Sequence, residues 1–201
     1  MSSRSPLEGF GLALRLAAPY LAVGLFWCVF HNAWLAILAY HAQILWWLRK
    51  TRPRFTRPRR TRLTFFILPS ALAGPTLGVL LPFIASVNLA SWLQSYHLAG
   101  SSLLLMTGYF ALVHPVLEQL HWAPLRQRTP FAHAAFAGYH LLVLESLLPI
   151  PWLVVSFAVL WLASWVWNRM NCASESLVPA IASQTVADLG IVLVALLAIF
   201  E

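Results

Sequence analysis

The sequence predicts an all-α membrane protein, a polytopic transmembrane helical bundle of about six spans. Hydrophobic residues make up 60% of the 201 positions and charged residues only 9%, whereas a soluble domain carries about 25% charged residues. Several apolar runs are long enough for the ~20-residue helices that cross a bilayer. Ten tryptophans and five tyrosines suit the two membrane interfaces. A chain with so few charged residues has too little polar surface for a sizeable water-soluble domain.

Six apolar segments follow one another, and turns rich in proline or polar residues separate them. The first is longer than one span needs and is interrupted by Pro19 and by His31 and Asn32, so it predicts an interfacial helix with one span, or two short spans. The predicted segments are residues 12–48, 63–87, 98–122, 131–148, 151–167 and 177–200. We divide the chain into residues 1–62, the N-terminal membrane helices with a basic loop, and residues 63–201, the transmembrane core.

The basic residues predict how the chain is oriented. Eight of the thirteen Lys and Arg residues lie within residues 49–62, and a basic loop between apolar spans usually faces the cytoplasm and anionic lipid. Arg126 and Arg128 in the loop 123–130, and then Arg169, follow at intervals of two spans, and the intervening turns carry no Lys or Arg. We therefore expect a bacterial inner-membrane protein whose loops 49–62 and 123–130 are cytoplasmic. Membrane lipids are the expected partners of these loops, and no nucleic acid is expected.

Glu118 is the first candidate functional residue. It is one of only six acidic residues, and it lies in an otherwise apolar segment. His114 precedes it by four positions and His121 follows by three, so all three share one helical face. Ionisable groups within a membrane usually face the interior of the bundle and mark function.

Two further polar groups lie at a similar distance from the expected cytoplasmic ends of their helices. With a rise of ~1.5 Å per residue, Glu118, His140 and Asp188 all fall roughly 12 to 15 Å inside. Gln184 lies one turn before Asp188 on the same face. A carboxylate base, a histidine and a hydrogen-bonding pair at one depth predict a hydrolytic site inside the membrane.

The order of these residues resembles that of a known family. Glu118-Gln119, then Phe136-x-x-x-His140, then Gln184-x-x-x-Asp188 is similar to the CPBP family, the CAAX proteases and bacteriocin-processing enzymes that act as glutamic intramembrane proteases. The resemblance covers residues 98–200. It implies that Glu118 activates water and that His140 is its partner. It also implies that Gln184 and Asp188 support the attack, and we expect supporting roles for Gln119, His114 and His121.

This chain departs from the family pattern at three places. The family has Glu-Glu-x-x-x-Arg, Phe-x-x-x-His and His-x-x-x-Asn. Here the second glutamate is Gln119, the arginine position is Ala123 with Arg126 as the nearest substitute, and Gln184 and Asp188 stand for the last histidine and asparagine. A glutamine side chain still donates a hydrogen bond, but it does not titrate.

Three functions stay open at this point. The resemblance implies an intramembrane protease that needs no cofactor and cleaves a membrane-associated peptide or protein. A catalytically degenerate subunit or assembly factor of a membrane complex is the main alternative. A metal or haem protein is the lesser alternative, with His114, Glu118 and His121 as ligands, although the paired Glu-x-x-His motifs of a di-iron bundle are absent.

Overall fold

The structure is a computed structural model that describes residues 6–49, 56 and 63–200. Over these residues the regular structure is helical throughout, and no strand occurs. The helices are α1 (Pro6–Val23), which continues as a π-helical segment (Gly24–Val29), α2 (Ala33–Leu48), α3 (Leu63–Ala71), α4 (Ala73–Ile84), α5 (Leu89–Ser95), α6 (Ser101–Leu112), α7 (His114–Arg128), α8 (Phe131–Leu144), α9 (Ile150–Ser174) and α10 (Val178–Phe200).

The predicted class, an all-α protein with helices suited to a membrane, is confirmed, whereas the count of about six spans is not. Within the described parts of the chain, four helical segments are long and apolar enough to cross a bilayer: Gly9–Val29, Ile67–Ile84, Ile150–Ser174 and Val178–Ile199. Helices α6 and α7 meet at a bend of 40° and make a fifth if they form one span. Helices α2 and α8 are apolar but have only 16 and 14 residues, fewer than the ~20 that a span requires.

The first apolar segment breaks at one of its two predicted interruptions. Pro19 lies inside α1 without ending it, whereas the chain turns at His31, which has a φ of 48°. Asn32 then caps α2, because its side-chain oxygen accepts a hydrogen bond from the Leu35 amide at 3.0 Å. The predicted basic loop 49–62 lies outside the described residues apart from Arg49 and Thr56.

Two stretches that the sequence predicts as loops are helical. Residues 123–128 belong to α7, which continues through Pro124, and residues 168–174 belong to α9. A proline inside a helix removes a hydrogen bond and is unfavourable, but ten of the fifteen α7 residues are buried, so packing outweighs that cost. Helix α9 ends only at Glu175, whose left-handed conformation (φ 53°) closes the helix.

Polar side chains lie inside the bundle and apolar side chains cover much of its exterior. Phe83 is 83% exposed and Leu197 63% exposed, and an apolar exterior of this extent suits lipid better than water. Helix α7 lies within the bundle and packs against α2, α6, α8, α9 and α10. The polar residues His114, Glu118, Gln119, His121 and Arg126 of α7 are buried inside the bundle.

Helix α10 is held against α4 at a very close approach. A Cβ atom placed on Gly74 would lie only 2.5 Å from the backbone carbonyl of Gly190. Small residues at such a crossing let two membrane helices pack backbone to backbone. The hydroxyl groups of Ser70 and Ser183 add a hydrogen bond of 2.7 Å between α3 and α10. These contacts fix the position of the α10 face that carries Gln184 and Asp188.

Candidate functional site

Glu118 lies in the interior of the bundle and is fully buried, with 0% of its surface exposed. Its Oε1 accepts hydrogen bonds from the hydroxyl groups of Tyr40, at 2.8 Å, and Tyr139. Its Oε2 accepts from the side-chain amide of Gln184 at 2.6 Å and lies 3.4 Å from Nε2 of His114. Burying a carboxylate is costly unless hydrogen bonds replace its water shell, and here three side chains from α2, α8 and α10 do so.

Gln184 connects the carboxylate to two more predicted residues. Its Nε2 lies between Oε2 of Glu118 and Oδ2 of Asp188, at 2.6 and 3.5 Å. Its Oε1 accepts a hydrogen bond from Nε2 of Gln119 at 2.7 Å. A glutamine can donate and accept at the same time, so one side chain brings Glu118, Gln119 and Asp188 together.

Arg126 reaches the same network from two turns further along α7. Its Nη1 donates to Oε1 of Gln119 at 3.1 Å, and Nδ2 of Asn171 approaches the same oxygen at 3.5 Å. The arginine is only 4% exposed. Arg126 therefore contacts Gln119, the second residue of the Glu118-Gln119 pair. In the sequence it is the arginine nearest to the position at which the CPBP pattern has one.

His140 lies beside the carboxylate without bonding it directly. Its Nδ1 is 2.7 Å from the carbonyl oxygen of Phe136, and its Nε2 is 3.1 Å from the Tyr139 hydroxyl. Because a carbonyl only accepts, Nδ1 must carry a proton, and Nε2 of the neutral ring is an acceptor. The Tyr139 hydroxyl thus stands between His140 and Glu118, within hydrogen-bond reach of both.

A second line of hydrogen bonds leads away from Glu118 through α2. Nδ1 of His114 lies 3.0 Å from Nε2 of His41, and Nδ1 of His41 lies 2.7 Å from the hydroxyl of Tyr109. His41 is 2% exposed, whereas Tyr109 is half-buried. The chain of groups therefore runs from the buried carboxylate towards the outside of the bundle.

Tyr40 and Tyr139, which bond Glu118, were not predicted from the sequence, and neither was a role for His41. The signal that points to them is a repeated pair, since Tyr40-His41 and Tyr139-His140 both place a tyrosine and a histidine side by side in an apolar helix. In each pair the tyrosine hydroxyl bonds Glu118. The same pattern also finds Tyr96-His97, whose tyrosine hydroxyl lies 2.9 Å from that of Ser146, so it does not single out the two site tyrosines.

His121 stays outside the network. It is 1% exposed, and neither ring nitrogen has a hydrogen-bond partner among the described residues. Its ring meets the ring of Tyr40 edge to face, with centroids 6.3 Å apart. In residues 6–49, 56 and 63–200 no group of three His, Cys, Asp or Glu side chains is arranged to hold a metal ion. The alternative ligand set of His114, Glu118 and His121 is therefore not assembled.

The site combines a basic oxygen with a set of hydrogen-bond donors. A carboxylate can take a proton from water, and phenol and amide groups can donate to an oxyanion. These groups come from four helices that are far apart in the sequence, namely α2, α7, α8 and α10.

A scan against protein-family models, a search of curated proteins and a search of solved structures returned no match to this chain.

Proposed function

We propose that this protein is a CPBP-like intramembrane protease, which hydrolyses a peptide bond in a membrane-associated peptide or protein. The observation that carries the proposal is the Glu118 carboxylate, which is buried between helices and hydrogen-bonded to Gln184 at 2.6 Å. In the family that the chain resembles, a glutamate and the residue at the Gln184 position belong to one site. Retaining an ionisable group in this interior is costly, and a catalytic role would account for it.

Glu118 is the general base in this proposal. It takes a proton from a water molecule as that water attacks the carbonyl carbon of the scissile bond. The new oxyanion accepts a hydrogen bond from the hydroxyl group of Tyr40, and from that of Tyr139 once this hydroxyl turns back from His140. When the carbon–nitrogen bond breaks, the proton held by Glu118 passes to the leaving amine, and the products are a carboxylic acid and an amine.

Water must displace one of the protein donors before it can reach Glu118. Tyr139 is the donor best placed to move, because its hydroxyl also lies 3.1 Å from Nε2 of His140. When Tyr139 donates to His140, a lone pair on Oε1 of Glu118 becomes available for water. His140 thus gives the Tyr139 hydroxyl an alternative acceptor, which frees Glu118 for water. Gln184 holds the other carboxylate oxygen in place.

The proposed setting is a bacterial inner membrane with the basic segments on the cytoplasmic side. The Ser176 hydroxyl donates to the carbonyl oxygen of Thr56 at 2.7 Å, so Thr56 and the turn between α9 and α10 meet at one end of the bundle. Arg126, Arg128 and Arg169 also line one shared pocket. These contacts support the assignment of all the basic segments, including residues 123–130, to a single side, where they would contact anionic lipid.

The test compares the new protein N-termini that appear in membranes when the chain is expressed. Glu118→Gln and His140→Ala should each reduce their yield by about 100-fold or more, because a lost acid–base group costs 10²–10⁴-fold in rate. Glu145→Gln is the matched control, since Glu145 is an exposed carboxylate at the end of α8. Identical sets of N-termini for the wild type and both site variants would refute the protease.

One observation favours a second function, that of a non-catalytic subunit or assembly factor of a membrane complex. The Glu118 carboxylate bonds side chains from three other helices, α2, α8 and α10, and Gln184 cannot titrate. This arrangement also suits a carboxylate that locks helices together. A defined complex that co-purifies with the chain, and that acts normally with Glu118→Gln, would support this second function over the protease.

A further inference from the structure

A basic pocket opens at the end of the bundle where α7 ends, α8 begins and α9 passes. Its volume is about 450 Å³. The lining combines three arginines with two indole rings and an amide, namely Arg126, Arg128, Arg169, Trp161, Trp165 and Asn168. A histidine also lines it, and none of the described residues that form its wall is acidic. The pocket therefore concentrates positive charge.

Arg126 carries hydrogen-bond donors into this pocket that no described residue accepts. Its Nη1 bonds Gln119, but its Nε and Nη2 are buried without a partner. Its guanidinium lies over the rings of Phe136 and Trp167, at 5.0 and 5.9 Å from their centroids. Leaving the donors of a buried cation unused is costly, so an acceptor from a bound anion would stabilise this side chain.

The opposite wall of the pocket supplies complementary groups on α9. Arg169 lies over the ring of Trp165 at 5.2 Å, which orients its guanidinium. Asn168 has a buried side-chain oxygen with no hydrogen-bond partner in the part of the chain that the structure describes. Guanidinium groups match the planar pair of oxygens on a phosphate, and the amide oxygen can accept from a hydroxyl group next to it.

We propose that this pocket binds the phosphate group of an anionic ligand, either a phospholipid headgroup or a soluble phosphate ester. Arg126 supplies the buried donors, and Arg169 closes on the phosphate from α9. Trp161 and Trp165, which are 41% and 40% exposed, flank the mouth of the pocket as tryptophans do at a membrane interface. Arg126 also reaches the network of Glu118 through Gln119, but the proposal does not depend on proteolysis.

The test measures ligand binding to the full chain in detergent. Phosphatidic acid and diacylglycerol, which share their acyl chains and differ in the phosphate, are compared by native mass spectrometry, and inorganic phosphate is titrated by calorimetry. Arg126→Gln and Arg169→Gln should each weaken phosphate-dependent binding by about tenfold or more, since each removes a charged hydrogen-bond donor. Arg49→Gln is the control, because Arg49 also lies over an indole ring, at 5.4 Å from Trp46, but outside the pocket.

Each outcome of the binding measurements either supports or overturns the phosphate site. Arginine-dependent binding of phosphatidic acid supports the site with a lipid as its ligand, and arginine-dependent binding of inorganic phosphate supports it with a soluble ligand. Equal binding of phosphatidic acid and diacylglycerol, together with no binding of phosphate, would overturn the proposal. Phosphate-dependent binding that survives both pocket substitutions would overturn it as well. Arg169 is exposed, so Arg169→Gln keeps the test valid even if Arg126→Gln fails to fold.

Discussion

The side-chain amide of Gln184 donates a hydrogen bond to the Glu118 carboxylate at 2.6 Å and joins α10 to α7 deep inside the bundle. The other end of the same amide accepts from Gln119, so both ends of the side chain are used. The glutamine supplies a donor to the glutamate without adding a titrating group to the site.

Replacement of Gln184 should destabilise the fold. Gln184→Ala leaves an oxygen of Glu118 with one donor fewer and Nε2 of Gln119 without an acceptor, and each unsatisfied buried group costs about 1–3 kcal/mol. The free energy of unfolding in micelles, followed by tryptophan fluorescence, should fall by a comparable amount. Gln94→Ala is the matched control, because Gln94 is exposed. Equal stability of the two variants would show that the network contributes little.

The close crossing of α4 and α10 gives a second stability test. Gly74→Ala would place a Cβ atom 2.5 Å from the backbone of Gly190, and a backbone cannot move aside as a flexible side chain can. The two helices must then separate, and overpacking of this kind costs about 1–3 kcal/mol. Gly108→Ala is the control, since nothing lies within 4 Å of its added Cβ. A melting temperature lowered only in Gly74→Ala is the expected result.

The sequence predicts the helical membrane class and the main polar residues for the same reason, which is that charged and polar side chains are rare in its apolar segments. Acidic and amide groups are scarce in apolar segments, so Glu118, Gln184 and Asp188 stand out, and the structure links them through one amide. Their spacing along separate helices was enough to predict a similar depth. His140 belongs to the same cluster only through the Tyr139 hydroxyl, a relation that spacing cannot give.

The parts that the sequence could not predict depend on packing between distant segments. Tyrosines are common in membrane helices, so nothing in composition singles out Tyr40, which bonds Glu118 across 78 positions. The helical state of residues 123–128 also depends on burial, since Pro124 and Arg126 taken locally favour a turn. The bend between α6 and α7 has a local cause instead, because Pro115 sits in the first turn of α7.

Tyr139 gives a sharper test of the proposed mechanism than the carboxylate does. Tyr139→Phe removes the hydroxyl that bonds Glu118 and faces His140, and loss of one oxyanion donor costs roughly 10²–10³-fold in rate. The yield of new N-termini should fall by that order while the protein remains in the membrane. Tyr96→Phe is the control, because it loses a hydroxyl that bonds Ser146 away from the site. Unchanged cleavage with Tyr139→Phe would rule out the hydroxyl as a participant.

Cysteine labelling tests the predicted orientation without any engineered probe. Cys172 is exposed near the end of α9, three residues after Arg169, whereas Cys28 lies in the first membrane-suited segment and packs its sulfur 3.4 Å from the Leu142 carbonyl oxygen. A membrane-impermeant maleimide should label Cys172 in inside-out vesicles and leave it unlabelled in intact cells. The signal should disappear in Cys172→Ser. The Cys172 thiol and the arginines of the pocket lie at the same end of the bundle, where α7 and α9 end. Labelling of Cys172 in intact cells would therefore place that end outside the cytoplasm.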